Sequence, residues 1–270
     1  FPTVAERVHF TFRPAEILAV PVPNHTFHIR KAIKSHQGPF HAFLAMSSGI
    51  DGIALAKVGF KTTGLLEFRP QEARDSSNLT ETGVLTAMAN LPDLDVVFNE
   101  NVMTIDWKRV EETMKGRPTI GCLHMSLQCD DFSTLKGTTA RLRGVANLST
   151  SMDMVFDGLR MVEVLRPATV LVEQVPGFAE KMGTLMEVRL RRWGYNVQSA
   201  ILSAPDFRGL TGRTRYCLVA SVFPHFECPA GLARRTKPVW ESISDQLGHC
   251  RDVTENKTVK DGQISPRGWC

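Results

Sequence analysis

The chain has 270 residues, 43% of them hydrophobic and 22% charged, with a formal net charge of +4. These are ordinary globular values, and the length suffices for one large domain or one domain with an appendage. No apolar run approaches the ~20 residues that span a bilayer. Arg7, His9 and Arg13 interrupt the first apolar residues, so a signal peptide is not expected in this stretch. The mild positive charge suits a nucleic-acid partner without requiring one.

Residues 1–38 are rich in proline and histidine without a clear period, and read as an N-terminal extension. From there strand and helix patterns alternate. His41 to Met46 reads as a short apolar strand, Ile53 to Val58 as one or two helical turns ended by Gly59, and Lys61 to Glu67 as a β-branched strand followed by a helix. Asp95 to Phe98 is a strand, Asp106 to Lys115 a helix with an acidic start, and Pro118 to Leu123 a strand. Asp153 to Leu165 has apolar residues at helical intervals, Thr169 to Val172 is a buried-type strand, and Glu180 to Trp193 an amphipathic helix. Tyr195 to Leu202 and Tyr216 to Val222 close the series as strands. Repeated β-α-β units predict an α/β fold with a doubly wound, mostly parallel sheet over residues 39–223. Residues 224–270 are polar, carry Pro224, Pro229 and Pro238, and read as a linker and the start of another lobe. The chain begins at Phe1 rather than Met and stops at Trp269-Cys270, so a piece of a longer protein is expected.

The six cysteines, Cys122, Cys129, Cys217, Cys228, Cys250 and Cys270, contain no CxxC pair. No zinc site is expected, and their irregular spacing reads as reduced thiols. Four Asn-X-Ser/Thr matches, at Asn24, Asn78, Asn147 and Asn256, have no secretory signal to give them meaning.

Four motifs carry chemistry. The loop Ser48-Gly49-Ile50-Asp51-Gly52 follows the first strand and opens a helix, where glycine lets backbone approach a ligand and free amides meet a carboxylate or phosphate. Glu67 follows Gly52 by fifteen residues, at the end of the second strand, where an acid accepts from ribose hydroxyls in nucleoside-cofactor folds. An ordinary turn and a glutamate capping the next helix would give the same spacing, which does not separate a dinucleotide from S-adenosylmethionine. Second, Ser126-Leu127-Gln128-Cys129-Asp130-Asp131-Phe132-Ser133 sets one thiol in a polar loop at a strand end, a good place for a nucleophile. Lys136, Arg141 and Arg143 follow, a basic loop for a phosphate backbone or a solvated one. Third, Glu173 ends the strand Val170-Leu171-Val172, costly there unless it is paired or used. Fourth, Arg213 and Arg215 lie two apart before an apolar run, so on a strand they share a face. They would meet an anionic site or solvent.

In their order these motifs resemble the DNA cytosine-C5 methyltransferases, from about residue 43 to 223. The family's nucleophile loop commonly reads Pro-Pro-Cys, then one or two residues, then Phe-Ser. Leu127-Gln128 stand here in place of the prolines. Its cofactor loop often reads Ser/Ala-Gly-Ile-Gly-Gly, with Asp51 here for the first paired glycine. Its Glu-Asn-Val is Glu173-Gln174-Val175, and its Gln-x-Arg-x-Arg is Thr211-Gly212-Arg213-Thr214-Arg215. The resemblance implies a Rossmann-like fold binding S-adenosylmethionine through Gly49, Ile50, Gly52, Glu67 and Asn101. Cys129, Glu173, Arg213 and Arg215 would be catalytic, and Lys136, Arg141 and Arg143 would bind double-stranded DNA with the target cytosine flipped out. It implies a monomer without metal or membrane association, cytoplasmic or nucleoid-associated (nuclear if eukaryotic), in a restriction-modification setting, with residues 224–270 beginning a target-recognition region. Asp130 and Asp131 are expected to raise the thiol's pKa, against the electropositive surrounding a thiolate needs. An RNA cytosine methyltransferase, a non-catalytic DNA-binding relative and a nicotinamide-dependent oxidoreductase are the competing readings.

Overall fold

A computed structural model describes residues 40–47, 49–70, 76–129, 150–209, 211–223, 226, 229 and 231. The sequence expectations for residues 1–38, for Asp130 to Ser133, for Lys136, Arg141 and Arg143, and for most of 224–270 lie outside these residues. The chain divides into two compact units, Phe1–Leu202 with Thr214–Ala230, and Ser203–Arg213 with Gly231–Cys270.

In the first unit the strands are β1 (Phe40–Ala45), β2 (Phe60–Leu66), β3 (Val96–Phe98), β4 (Ile120–Met125), β5 (Thr169–Gln174), β6 (Asn196–Ser203) and β7 (Thr214–Ser221). The helices are α1 (Ile50–Lys57), α2 (Thr82–Asn90), α3 (Trp107–Met114), α4 (Thr150–Leu165) and α5 (Thr184–Arg192). The sheet order is β3-β2-β1-β4-β5-β7-β6. The pairs β1–β2, β1–β4, β2–β3 and β4–β5 are parallel, and β5–β7 is antiparallel. This is the mostly parallel, Rossmann-like sheet that the alternating pattern predicts, with one reversed strand inserted between β5 and β6.

Both faces of the sheet are covered because its strands are apolar on both sides. Along β1, Ala42 and Leu44 join Leu55, Leu65, Val84, Ala87, Leu91 and Cys122 in one cluster. Phe43 and Ala45 alternate with them into a larger cluster with Val110, Val155, Leu159, Met186 and Leu190. Helices α1 and α2 thus cover one face and α3, α4 and α5 the other. The Phe43 ring needs Gly64 opposite, where an added Cβ would lie 2.3 Å from it, and the β1–β2 register shifts at that point.

Helix starts follow local chemistry. Asp106 stands just outside α3 and its carboxylate accepts from the amides of Lys108 and Arg109, so the predicted acidic start is an N-cap. The amphipathic stretch from Glu180 opens as a π-helical turn, Ala179–Gly183, before α5. Gly183 brings that turn against Tyr216, whose hydroxyl would lie 3.1 Å from an added Cβ. Among the described residues no helix is long and apolar enough to cross a membrane, and no three His, Cys, Asp or Glu side chains converge as a metal site requires.

Candidate active site

The strand order reverses between β1 and β4, so the crevice beyond their carboxyl ends is a topological switch point, where open α/β sheets bind ligands. The chain leaves β1 through Met46, in the left-handed region at φ 58, its amide bonded to the Leu66 carbonyl. Gly49 follows at φ 80 as the residue before α1. A Cβ there would lie 2.8 Å from Ala87, and one at Gly52 would lie 2.7 Å from Leu91. Packing against α2 and the residue after it therefore demands both glycines, a reason for the loop's composition besides approach to a ligand. Ile50 is largely exposed on the first turn. Asp51, beside it, turns its carboxylate to within 3.6 Å of His124 Nδ1 on β4.

Glu67 leaves the end of β2 and is buried, packed on the start of α2, where an added Cβ at Gly83 would touch it. Asn101 closes a turn, its Oδ1 accepting from the Met103 amide at 3.0 Å. Three buried polar atoms beyond or near these strand ends have no hydrogen-bond partner among the described residues: Ser47 Oγ after β1, Asn99 Oδ1 after β3 and His124 Nδ1 on β4. Buried polar groups are normally satisfied, so these three suit a polar ligand at this edge, while a further orphan, Thr62 Oγ1, lies within β2 away from it. The donor set, a helix start, a buried acid after β2 and amides after β3, fits a nucleoside cofactor.

The second half of the site joins β4, β5 and β7. The Ser126 amide bonds the Ala45 carbonyl at 3.0 Å, which carries β4 onward past Met125. Ser126 Oγ donates to Glu173 Oε2 at 3.4 Å, and Arg215 Nε donates to Glu173 Oε1 at 2.7 Å. The Arg215 guanidinium is also anchored on the Thr214 carbonyl. Glu173 and Arg215 are each under a third exposed, so their pairing is partly shielded from water. The next residue, Gln174, is fully buried and its amide donates to the Leu127 carbonyl. Glu173 and Gln174 together hold Ser126 and Leu127, which immediately precede Gln128 and the half-buried Cys129. The thiol's loop is thereby tied to the carboxylate's strand.

His124 and Ser126 were not singled out by sequence reasoning. The strand signal stops at Leu123 because a histidine interrupts the apolar run, yet β4 continues through His124-Met125 with every residue buried. The period of two from Cys122 through His124 to Ser126 carries the signal. Burial is the main influence on His124 and lowers its pKa, opposed by the charges of Asp51 and Glu173. Cys122 is a core thiol whose pKa burial pushes up to about 12. Arg213 is exposed, falls in the second unit, and its carbonyl accepts from the Ala204 amide at 2.8 Å. Away from this edge, an apolar groove of about 350 Å³ between α4 and α5, lined by Phe156, Leu185, Val188 and Trp193, carries none of the predicted site residues.

No family model and no curated protein matches the chain. Solved structures do. A protein assigned as a prophage-encoded DNA modification methyltransferase (E. coli) aligns at a TM-score of 0.50 and 20% identity over 67% of this chain and 46% of that one. The Entamoeba histolytica methyltransferase EhMeth aligns at 0.52 and 18% over 74% of this chain and 58% of that one. The chain spans about half the length of these structures. It shares their methyltransferase fold.

Proposed function

We propose that this chain belongs to an enzyme that methylates C5 of cytosine in DNA, with residues 39–223 as the S-adenosylmethionine-binding catalytic domain and 224–270 beginning a target-recognition region. The observation that carries the reading is Glu173, held by Arg215 and Ser126 on the strand whose next residue clamps the Cys129 loop.

Cytosine C5 is a weak nucleophile, and covalent catalysis solves this. The Cys129 thiolate attacks C6 of a cytosine extruded from the duplex, which forms an Sγ–C6 bond and moves electron density to C5. Glu173, in its protonated form, donates to N3 and accepts from the exocyclic amine with its other oxygen, which holds the ring and stabilises the charge that attack builds up. Arg215 fixes the carboxylate's orientation, and the resemblance gives Arg213 a catalytic role as a second cation. S-adenosylmethionine, when bound, supplies an electrophilic methyl group, and Gly49, Ile50, Gly52, Glu67 and Asn101 are the residues that would hold it. Loss of the C5 proton then lets the Sγ–C6 bond break and frees Cys129. Lys136, Arg141 and Arg143 neutralise DNA phosphates.

A second reading, a DNA-binding relative with weakened catalysis, is favoured by Asp51, which puts a carboxylate in the switch-point crevice. One experiment separates the two. The protein is incubated with labelled S-adenosylmethionine and DNA carrying 5-fluorocytosine. Methylation predicts a covalent adduct that disappears in Cys129→Ser. Cofactor binding without adduct leaves the second reading, and absence of cofactor binding sinks both forms of the methyl-transfer claim.

A further inference from the structure

Asp51 and His124 face each other across the crevice where the strand order reverses, one from the first turn of α1 and one from β4. His124 is nine-tenths buried, and its Nδ1 stands 3.6 Å from the Asp51 carboxylate with no hydrogen-bond partner among the described residues. An orphaned buried ring nitrogen beside a half-exposed carboxylate marks a place built for another group.

Among the described residues, the charges that act on His124 are those of Asp51 and Glu173. Helix α1 contributes Asp51, β5 contributes Glu173, and β7 contributes Arg215, which is already engaged with Glu173. From β1 the residue in register with His124 is Leu44, and from β5 it is Leu171. Burial disfavours the protonated imidazole, so His124 does not balance Asp51 near neutral pH. Among the described residues no Lys or Arg pairs with the Asp51 carboxylate, which is half-exposed.

We propose that Asp51 and His124 are specificity-determining residues that make this crevice rank adenosyl ligands by net positive charge. The inference rests on the adenosyl-cofactor reading above and deepens it. Decarboxylated S-adenosylmethionine carries a sulfonium and an ammonium, S-adenosylmethionine adds a carboxylate, and S-adenosylhomocysteine lacks the sulfonium. The crevice binds them in that order. The demethylated product, with no net charge, is therefore the weakest ligand and leaves readily.

The test is calorimetric titration of the full chain with these three ligands at pH 7.5. The proposal expects about tenfold in affinity per unit of ligand charge, the scale of one partly screened charge at a few ångströms. Asp51→Asn keeps the shape and removes the charge. It should shrink the span between the first and last ligand at least about tenfold, with an unchanged melting temperature as the control on folding. Asp51→Gly repeats the measurement with the side chain removed. His124→Gln should leave the order intact at pH 7.5. A span unchanged by Asp51→Asn, or the same shift for all three ligands, overturns the proposal and leaves the cofactor reading intact. If neither the native chain nor either variant at position 51 binds any adenosyl ligand, the cofactor reading falls and takes the proposal with it.

Discussion

The Gln174 side chain donates its amide hydrogen to the Leu127 carbonyl while its own oxygen accepts from the Val175 amide at 2.9 Å. One side chain therefore fixes both the exit of β5 and the turn that presents Cys129. The loop has no proline before its thiol to stiffen it, and this buried glutamine supplies a tertiary restraint instead. Replacing it by leucine would leave a buried carbonyl unpaired, at a cost of ~1–3 kcal/mol. Gln174→Leu should lower the melting temperature by roughly 2–6 °C and speed amide exchange at residues 127–129. A rise in exchange confined to other segments would refute the restraint.

Arg215 holds Glu173 through Nε, and a lysine cannot reproduce that planar donor. Arg215→Lys should slow adduct formation on 5-fluorocytosine DNA by roughly tenfold and Arg215→Ala by up to ~100-fold, equivalent to ~1.4–2.7 kcal/mol in the barrier. Single-turnover kinetics at saturating DNA measure this. Equal rates in all three proteins would remove Arg215 from the site.

Most of the sheet was legible because each parallel strand is an apolar run set between helical periods, and Glu173 stands one residue before the end of β5. The reversal of β7 was not, since its direction depends on pairing with β5 across a connection that no local pattern encodes. The π-helical turn was equally hidden. It depends on Gly183 meeting Tyr216, more than thirty residues away. At the site, Glu173 and Arg215 are read from spacing and do meet. Asp51 was visible only as a departure, because its relation to His124 arises from the neighbouring of β1 and β4.

His124 ties stability to pH. Burial, partly offset by Asp51 and Glu173, holds its folded pKa below the ordinary 6.5. Between those two values the unfolded chain binds more protons, so stability present above pH 6.5 is lost as pH falls through the folded pKa. The urea midpoint should decline from pH 7 to pH 5, and less steeply in His124→Gln over that window. Parallel curves would show that His124 does not titrate differently on folding.

Glu187 on α5 accepts from Ser199 of β6 at 2.6 Å and from the Tyr216 hydroxyl of β7 at 3.1 Å, and pairs with Arg191 at 3.0 Å. Burial alone would raise its pKa, but these partners together outweigh it and hold the carboxyl below its ordinary value of 4.5. Glu187→Gln keeps the size and loses the charge, and should cost about 1 kcal/mol. The loss is present at neutral pH and fades as pH drops below 4.5 through the folded pKa, where the native glutamate is itself protonated. Urea melts at pH 7 and pH 3.5 check the convergence.

Thiol reactivity distinguishes the described cysteines. Cys122 is 1% exposed with its pKa near 12, so it is neither reachable nor ionised at neutral pH. Cys129 and Cys217 are only partly buried. Cys129 lies in the loop after β4, whereas Cys217 is within β7 and paired in register with Glu173. Brief alkylation of the native chain followed by peptide mass mapping should therefore mark Cys129 ahead of Cys217 and leave Cys122 unmodified until urea is added. Duplex DNA should protect Cys129 and leave the labelling of Cys217 unchanged. Protection that spares Cys129 would place bound DNA away from the thiol, and with it the base whose C6 the thiolate must reach.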